Sequence, residues 1–282
     1  MNWLVLTLLS VLFASVASIL QRVLMKDEKS NPYSYAIIFH FFLGFLNLGF
    51  ALLYGSQFSL LSGNSYLLLL ASVLWAGCSI FLFKSLLLIE ASEKTILSSL
   101  NVVVTIIASV IFLNEAFTGE KILGTAIILI STLLVVTLKN GFKLNRGVVY
   151  VLITAVFAGL AIVADSANVQ HYDVVAYNTF QNFLTGFFIL AFAPKALKQW
   201  KHFVQPDFLK KMLPLGIFSA TQGILYLTAL TYGGNTAQVG TIRQASTVVT
   251  VLLAVIFLKE REKLGRKLIA AILVTVGVIL LK

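Results

Sequence analysis

Charge is scarce in this chain. Only 11% of its 282 residues are Asp, Glu, Lys or Arg, whereas a soluble domain carries about 25%. Cysteine is nearly absent: Cys78 stands alone inside an apolar run, which excludes a disulfide framework and a thiol pair for metal or redox chemistry. Of the four prolines, Pro32, Pro194 and Pro206 fall between apolar runs and Pro214 at the start of one. Catalytic motifs are missing as well. The chain has no GxxxxGK[ST] phosphate cradle, no HExxH or GxSxG, and no pair of carboxylates inside an apolar run. ATP-driven transport by this chain alone and intramembrane hydrolysis are therefore not expected. It also lacks a long polar segment that could form a signalling domain and a selectivity-filter-like sequence.

What the chain has is hydrocarbon: 59% of it is apolar, with a mean hydropathy of +0.95. No soluble fold of this length can hide that much apolar surface, so the composition predicts an all-α integral membrane protein. A helix needs roughly 20 apolar residues to cross a bilayer core. Ten stretches meet that need: Trp3–Leu24, Tyr33–Tyr54, Tyr66–Ile89, Thr95–Leu113, Lys121–Leu138, Val148–Asn168, Val174–Ala193, Met212–Tyr232, Ala237–Leu258 and Leu264–Leu281. The first has no basic segment before it and reads as a helix rather than a cleaved signal peptide.

The net charge of +10 does not point to nucleic acid, because the cations sit between apolar runs. The connections after odd-numbered stretches hold Arg22, Lys26 and Lys29, then Lys94, then Lys139, Lys143 and Arg146. The later ones hold Lys195, Lys198, Lys201, Lys210 and Lys211, then Lys259, Arg261, Lys263, Arg266 and Lys267. Only Lys121 and Lys282 belong to the opposite face. By the positive-inside rule the odd connections are cytoplasmic and both termini point outward, in what is expected to be the cell membrane.

The chain repeats itself. SVIFLNEAFTGEKILG (Ser109–Gly124) matches AVIFLKEREKLGRKLI (Ala254–Ile269) at an offset of 145 residues. Upstream, LFAS (Leu12–Ser15) pairs with VFAG (Val156–Gly159), and FHFFLG (Phe39–Gly44) with FQNFLT (Phe180–Thr185). Residues 1–138 and 147–282 thus read as two five-helix repeats joined by a linker at 139–146. Five is odd, so the second copy enters the membrane in the opposite sense. Inverted repeats of this kind are found in transporters that rock around a central site.

The duplicated five-helix unit resembles the ten-helix EamA family of the drug/metabolite transporter superfamily. Its marks here are FLNE and FLKE closing the fourth and ninth stretches, and the glycine-containing helices GTAIILISTLLVV and AAILVTVGVILL that follow. The resemblance implies a secondary carrier that exports or exchanges small metabolites, often amino acids, without enzymatic activity or a cofactor. Sugar-phosphate and nucleotide-sugar carriers belong to the wider superfamily and supply the alternative. A non-transporting membrane receptor or assembly subunit is a further alternative from another class. Many family members resemble one another in having cytoplasmic termini, so the cation pattern here runs against the usual orientation.

Ionisable groups inside a span are costly and usually face a partner or a solute. Asp165 is the only acid well inside a stretch; Lys84, Arg243 and His40 are the other ionisable candidates. Ser98, Asn101, Thr105 and Ser109 recur at helical steps in the fourth stretch, and Arg243, Ser246, Thr250 and Ala254 lie on the matching stripe of the ninth. Such a stripe either lines a cavity or forms a close helix seam. Gln181, Gln222 and Tyr226 join Asp165 and Arg243 on the side opposite the basic connections, while His40 and Lys84 approach from the basic side. Arg243 either pairs with Asp165, receives a carboxylate of the solute, or snorkels. Snorkelling is the favoured reading for Lys84. His40 reads as a helix–helix hydrogen-bonding group with proton coupling as its alternative. Glu115 and Glu260 close their helices, as caps or as partners of loop cations. The expected partners are the lipid bilayer and a small solute, with no metal and no nucleic acid. One chain holds both repeats, so a monomer suffices and a dimer is compatible.

Overall fold

The structure, a computed structural model, describes residues 2–25, 31–58, 64–113, 119–136, 145–199, 201, 205–232, 239, 242–243, 245–260 and 264–280. Every regular element among them is helical: α1 (Trp3–Met25), α2 (Pro32–Tyr54), α3 (Ser65–Leu88), α4 (Ala91–Ser98), α5 (Leu100–Leu113), α6 (Gly119–Val136), α7 (Arg146–Asn168), α8 (Val174–Phe192), α9 (Pro206–Thr231), α10 (Ala245–Phe257) and α11 (Leu264–Ile279). Short 3-10 turns, Val169–His171 and Pro194–Gln199, follow α7 and α8.

Seven helices among the described residues are long and apolar enough to cross a membrane, with Ala91–Phe112 counted as one run. They account for seven of the ten stretches expected from hydropathy. The other three stretches carry α6, α10 and α11, which are not among the seven. The fourth stretch differs from expectation in a second way, because it starts earlier and breaks into α4 and α5 at Ser99. There the helix tightens, with Ser99 N–H donating to the Ile96 carbonyl at 3.2 Å and Val102 N–H to the Ser99 carbonyl at 3.1 Å. The cause is local. Ser99 Oγ turns back to the Thr95 carbonyl at 3.3 Å, and serine side chains that compete for helix carbonyls commonly kink the ladder.

Helix starts follow from short polar side chains. Asn31 Oδ1 accepts from the N–H of Tyr33 and Ser34, ahead of Pro32, whose fixed φ suits the first helical position. Asn64, Asn145 and Asp173 do the same for α3, α7 and α8. At the far end of α2, Gly55 takes the left-handed φ of +68° that ends a helix with little steric cost. The outer surface is hydrocarbon: Phe45, Leu52, Leu53 and Phe112 are all exposed. Water would disfavour such a face, and lipid tails accept it.

The helices pair as α1 with α9 and α10, α2 with α8 and α9, α3 with α7 and α8, α5 with α7, α4 with α10, and α6 with α11. Small residues set the closest of these approaches. A Cβ on Gly159 would stand 2.6 Å from Val104 Cβ and 2.7 Å from the Asn101 carbonyl oxygen, so α7 lies directly against α5. Thr105 Oγ1 also reaches the Gly159 carbonyl at 3.3 Å. Part of the small polar stripe on the fourth stretch is therefore a helix seam. On the matching stripe, the Ser246 carbonyl accepts from Ser15 of α1 at 3.3 Å. Between α6 and α11, Ser131 Oγ donates to the Ala270 carbonyl at 2.7 Å.

Candidate functional site

Asp165 opens the last turn of α7 and is buried. Three side chains converge on it. Trp75 Nε1 of α3 donates to Oδ2 at 2.8 Å, while Tyr177 Oη and Gln181 Nε2 of α8 donate to Oδ1 at 2.6 and 2.5 Å. Position 165 reaches α8 because only the Val169–His171 turn and two further residues separate the two helices. Asn64 and Asn168 lock the neighbouring chain crossing, with Asn64 N–H donating to Asn168 Oδ1 at 2.9 Å and Asn168 Nδ2 to the Asn64 carbonyl at 3.0 Å.

One residue along α8 from Gln181, the polar band continues. Asn182 Nδ2 donates to the Asn178 carbonyl at 2.8 Å and to Asn178 Oδ1 at 3.1 Å, which orients its amide so that Oδ1 faces His40. His40 Nδ1 meets that oxygen at 3.0 Å, and Nε2 meets Ser79 Oγ at 2.6 Å. Nδ1 must then be the donor, and Nε2 accepts from the Ser79 hydroxyl. Both nitrogens of a neutral imidazole are satisfied, so His40 ties α2 to α8 and α3. This arrangement is the helix–helix hydrogen bonding that one reading of His40 expects.

Arg243 precedes α10, half-buried. Its guanidinium carbon lies 4.0 Å from the centre of the Tyr226 ring, and Nη2 donates to Gln222 Oε1 at 2.7 Å. Gln222 and Tyr226 lie one turn apart on α9, so they present an amide and a ring face to the same cation. Tyr226 packs with Tyr177 and Tyr172 in one cluster and is within electrostatic reach of both Asp165 and Arg243. The ion pair with Asp165, one of three readings of Arg243, does not form among the described residues. Neutral donors have taken the carboxylate, and an amide and a ring hold the guanidinium. Five side chains named from the sequence, Asp165, Gln181, Gln222, Tyr226 and Arg243, thus border one region.

Lys84 and Asn101 stand apart from it. Lys84 Nζ donates to Tyr33 Oη at 2.5 Å and lies 5.4 and 5.7 Å from the rings of Phe81 and Tyr150. Aromatic rings accommodate this half-buried cation near the start of α2 and α7. Asn101 Oδ1 is buried with no hydrogen-bond partner among the described residues.

A second polar cluster occupies the end where α1 finishes and α4 and α11 begin. Glu260 is buried and accepts from the backbone N–H of Ala91 and Ser92, both at 3.1 Å, and from Ser92 Oγ at 2.7 Å. It caps α4, a helix of the other half of the chain, where a carboxylate is stabilised by free N–H groups and the helix dipole. Of the two roles expected for Glu260 the cap is found, on a helix far away in sequence; Glu115 lies outside the described residues. Beside it the wholly buried Lys267 of α11 forms an ion pair with Glu90, and Arg22 is within electrostatic reach of Glu260, Glu90 and Glu93. Lys259 adopts φ +56°, the only non-glycine residue with positive φ among those described. That left-handed turn lets Glu260 N–H reach back to the Ala254 carbonyl at 3.3 Å and aims the Glu260 side chain at α4.

Sequence reasoning placed Tyr177 on the polar face of its helix with Gln181 and counted Lys267 among the connection cations, but missed Trp75, Ser79 and Asn182, which hold the central groups, and Glu90 at the far end. Trp75, Ser79 and Asn182 are dispersed in apolar runs, where a single donor has no pattern. One signal was present: Trp75 and Ser79 lie four residues apart, on one face of α3.

No functionally characterised protein matches the chain in sequence. A solved crystal structure of a protein that is 17% identical superposes with a TM-score of 0.69, covering 98% of this chain and 94% of its own, and it supports the fold alone. The EamA-like transporter family model matches twice, over residues 1–137 and 145–282. With most of both halves matched, and with its series of apolar helices, the chain is a multi-pass membrane protein of the EamA-like transporter family.

Proposed function

We propose that the protein is a secondary carrier of small polar, amino-acid-like metabolites that works by alternating access in the cell membrane. Its ten spans form two inverted five-helix repeats, residues 1–138 and 147–282, with the basic connections on the cytoplasmic side. The helix pairings support a two-fold relation between the halves. Exchanging the two halves turns α1–α9 into α7–α3, α1–α10 into α7–α5 and α2–α9 into α8–α3, while α2–α8 and α6–α11 map onto themselves. A two-fold relation between halves gives this pattern, and carriers built so rock one repeat against the other.

The observation that carries the solute class is Arg243. A guanidinium has five N–H donors in a planar fork. Among the described residues one of them is bonded to Gln222 and the Tyr226 ring covers a face, and a planar fork held in this way suits a carboxylate. A carrier of phosphorylated sugars would gather several cations at this point. Lys84, the other cation among the candidates, is instead held between Tyr33, Phe81 and Tyr150.

Thermal unfolding of the detergent-purified protein against amino acids, organic cations, sugar phosphates and nucleotide sugars tests this reading. A solute at a hundred times its Kd stabilises the folded state by about 2.7 kcal/mol. The expected result is a rise with amino-acid-like compounds that vanishes in Arg243→Ala. A rise confined to phosphorylated compounds, or one undiminished in Arg243→Ala, would overturn the assignment.

A further inference from the structure

We propose that Asp165 is a proton-exchange site, charged in one state of the carrier and neutral in another, with Trp75 as its fixed partner and Tyr177 and Gln181 as its switchable ones. For the proton's use in coupling, the proposal rests on the carrier reading; the exchange itself does not.

The argument starts from cost. A carboxylate inside a membrane bundle is expensive unless a cation accompanies it or it takes up a proton. Among the described residues no Lys, Arg or His forms an ion pair with Asp165; its partners are an indole, a phenol and an amide. These neutral donors stabilise the charged form without cancelling its charge. Their chemistry then distinguishes the two oxygens. The indole N–H of Trp75 only donates, so Oδ2 remains an acceptor in either protonation state. Oδ1 faces a hydroxyl, which can rotate, and an amide, which can present its oxygen after a flip. A proton arriving on Oδ1 therefore finds an acceptor in Tyr177 or Gln181. A purely structural carboxylate would not need partners able to serve both states. Lys267 beside Glu90, for example, serves only the charged form.

The other ionisable groups around this point are the phenols of Tyr172 and Tyr226 and the Arg243 guanidinium. From the helices packed on α7, neither α5 nor the facing part of α3 adds another. Cys78 of α3 and Lys94 of α4 interact with each other instead. His171 in the turn after α7 is exposed.

Trp75 makes the site readable without any solute. In a background with Trp3→Phe and Trp200→Phe, its emission should follow a single pH titration as its hydrogen-bond acceptor gains or loses charge. The titration should disappear in Asp165→Asn. Tyr177→Phe removes one donor to the charged form, so the midpoint should move to higher pH by about one to two units. A titration that survives Asp165→Asn, or that is absent across the pH range in which the protein stays folded, would overturn the proposal. If Asp165→Asn does not fold, the Tyr177→Phe arm decides: an upward shift supports the site and an unmoved midpoint refutes it. Because no solute enters the measurement, its failure is separate from a failure of the solute panel.

Discussion

Converting Lys267 to methionine will lower the thermal unfolding midpoint of the detergent-solubilised protein sharply, and adding Glu90→Gln will restore part of the loss. Lys267 is 1% exposed and its ion-pair partner Glu90 has a side chain 20% exposed. Removing one member of a buried pair leaves the other charge stranded, at a cost of about 3–5 kcal/mol. Residual water contact at Glu90 puts the expectation at the lower end of that range. Neutralising both members removes the stranded charge, so the double variant should be more stable than the sum of the single losses by about 1 kcal/mol or more. Strictly additive losses, or a Lys267→Met protein as stable as the parent, would show that the pair is not coupled.

The second large effect is expected at Gly159. Gly159→Ala adds one Cβ, which would lie 2.7 Å from the Asn101 carbonyl oxygen and 2.6 Å from Val104 Cβ. A carbonyl in a helix cannot move aside as a flexible side chain can, so α5 and α7 must separate. Overpacking of this kind costs about 1–3 kcal/mol. The matched control is Gly49→Ala in α2, where a Cβ would meet nothing within 4 Å. There alanine's better helix propensity, about 1 kcal/mol, should hold or raise the midpoint. Equal midpoints for the two alanine variants would refute the close approach of α5 and α7.

How far these features were legible from residues alone varies with their range. Hydropathy located the helical stretches and the FLNE and FLKE repeat located the halves, because both signals are local or self-comparing. Asp165 and Arg243 stood out because an ionisable residue in an apolar run is rare. Their partners did not stand out. A helix such as α3 is apolar on all sides, so no amphipathic phase marks Trp75 or Ser79 as facing inward. The Ser98–Ser99 pair could have signalled the break between α4 and α5. Glu260 was visible as the end of a helix, yet the backbone it caps, at Ala91 and Ser92, lies 169 and 168 positions away. Contacts of that range depend on how whole helices are arranged, which no window of residues contains.

The left-handed turn at Lys259 also has a mechanical meaning. An L-residue holding φ +56° is strained by about 1–2 kcal/mol, and the turn stays folded because its neighbour is gripped by the first N–H groups of α4. The end of α10 and the first turn of α4 are thus joined like a crank, with Glu260 as the pin. If α10 rolls about its axis, the pin pulls the front of α4, and the break at Ser99 lets that short segment swing without dragging α5. Lys259→Gly, which relaxes the turn, would leave the pin in place and slacken the crank.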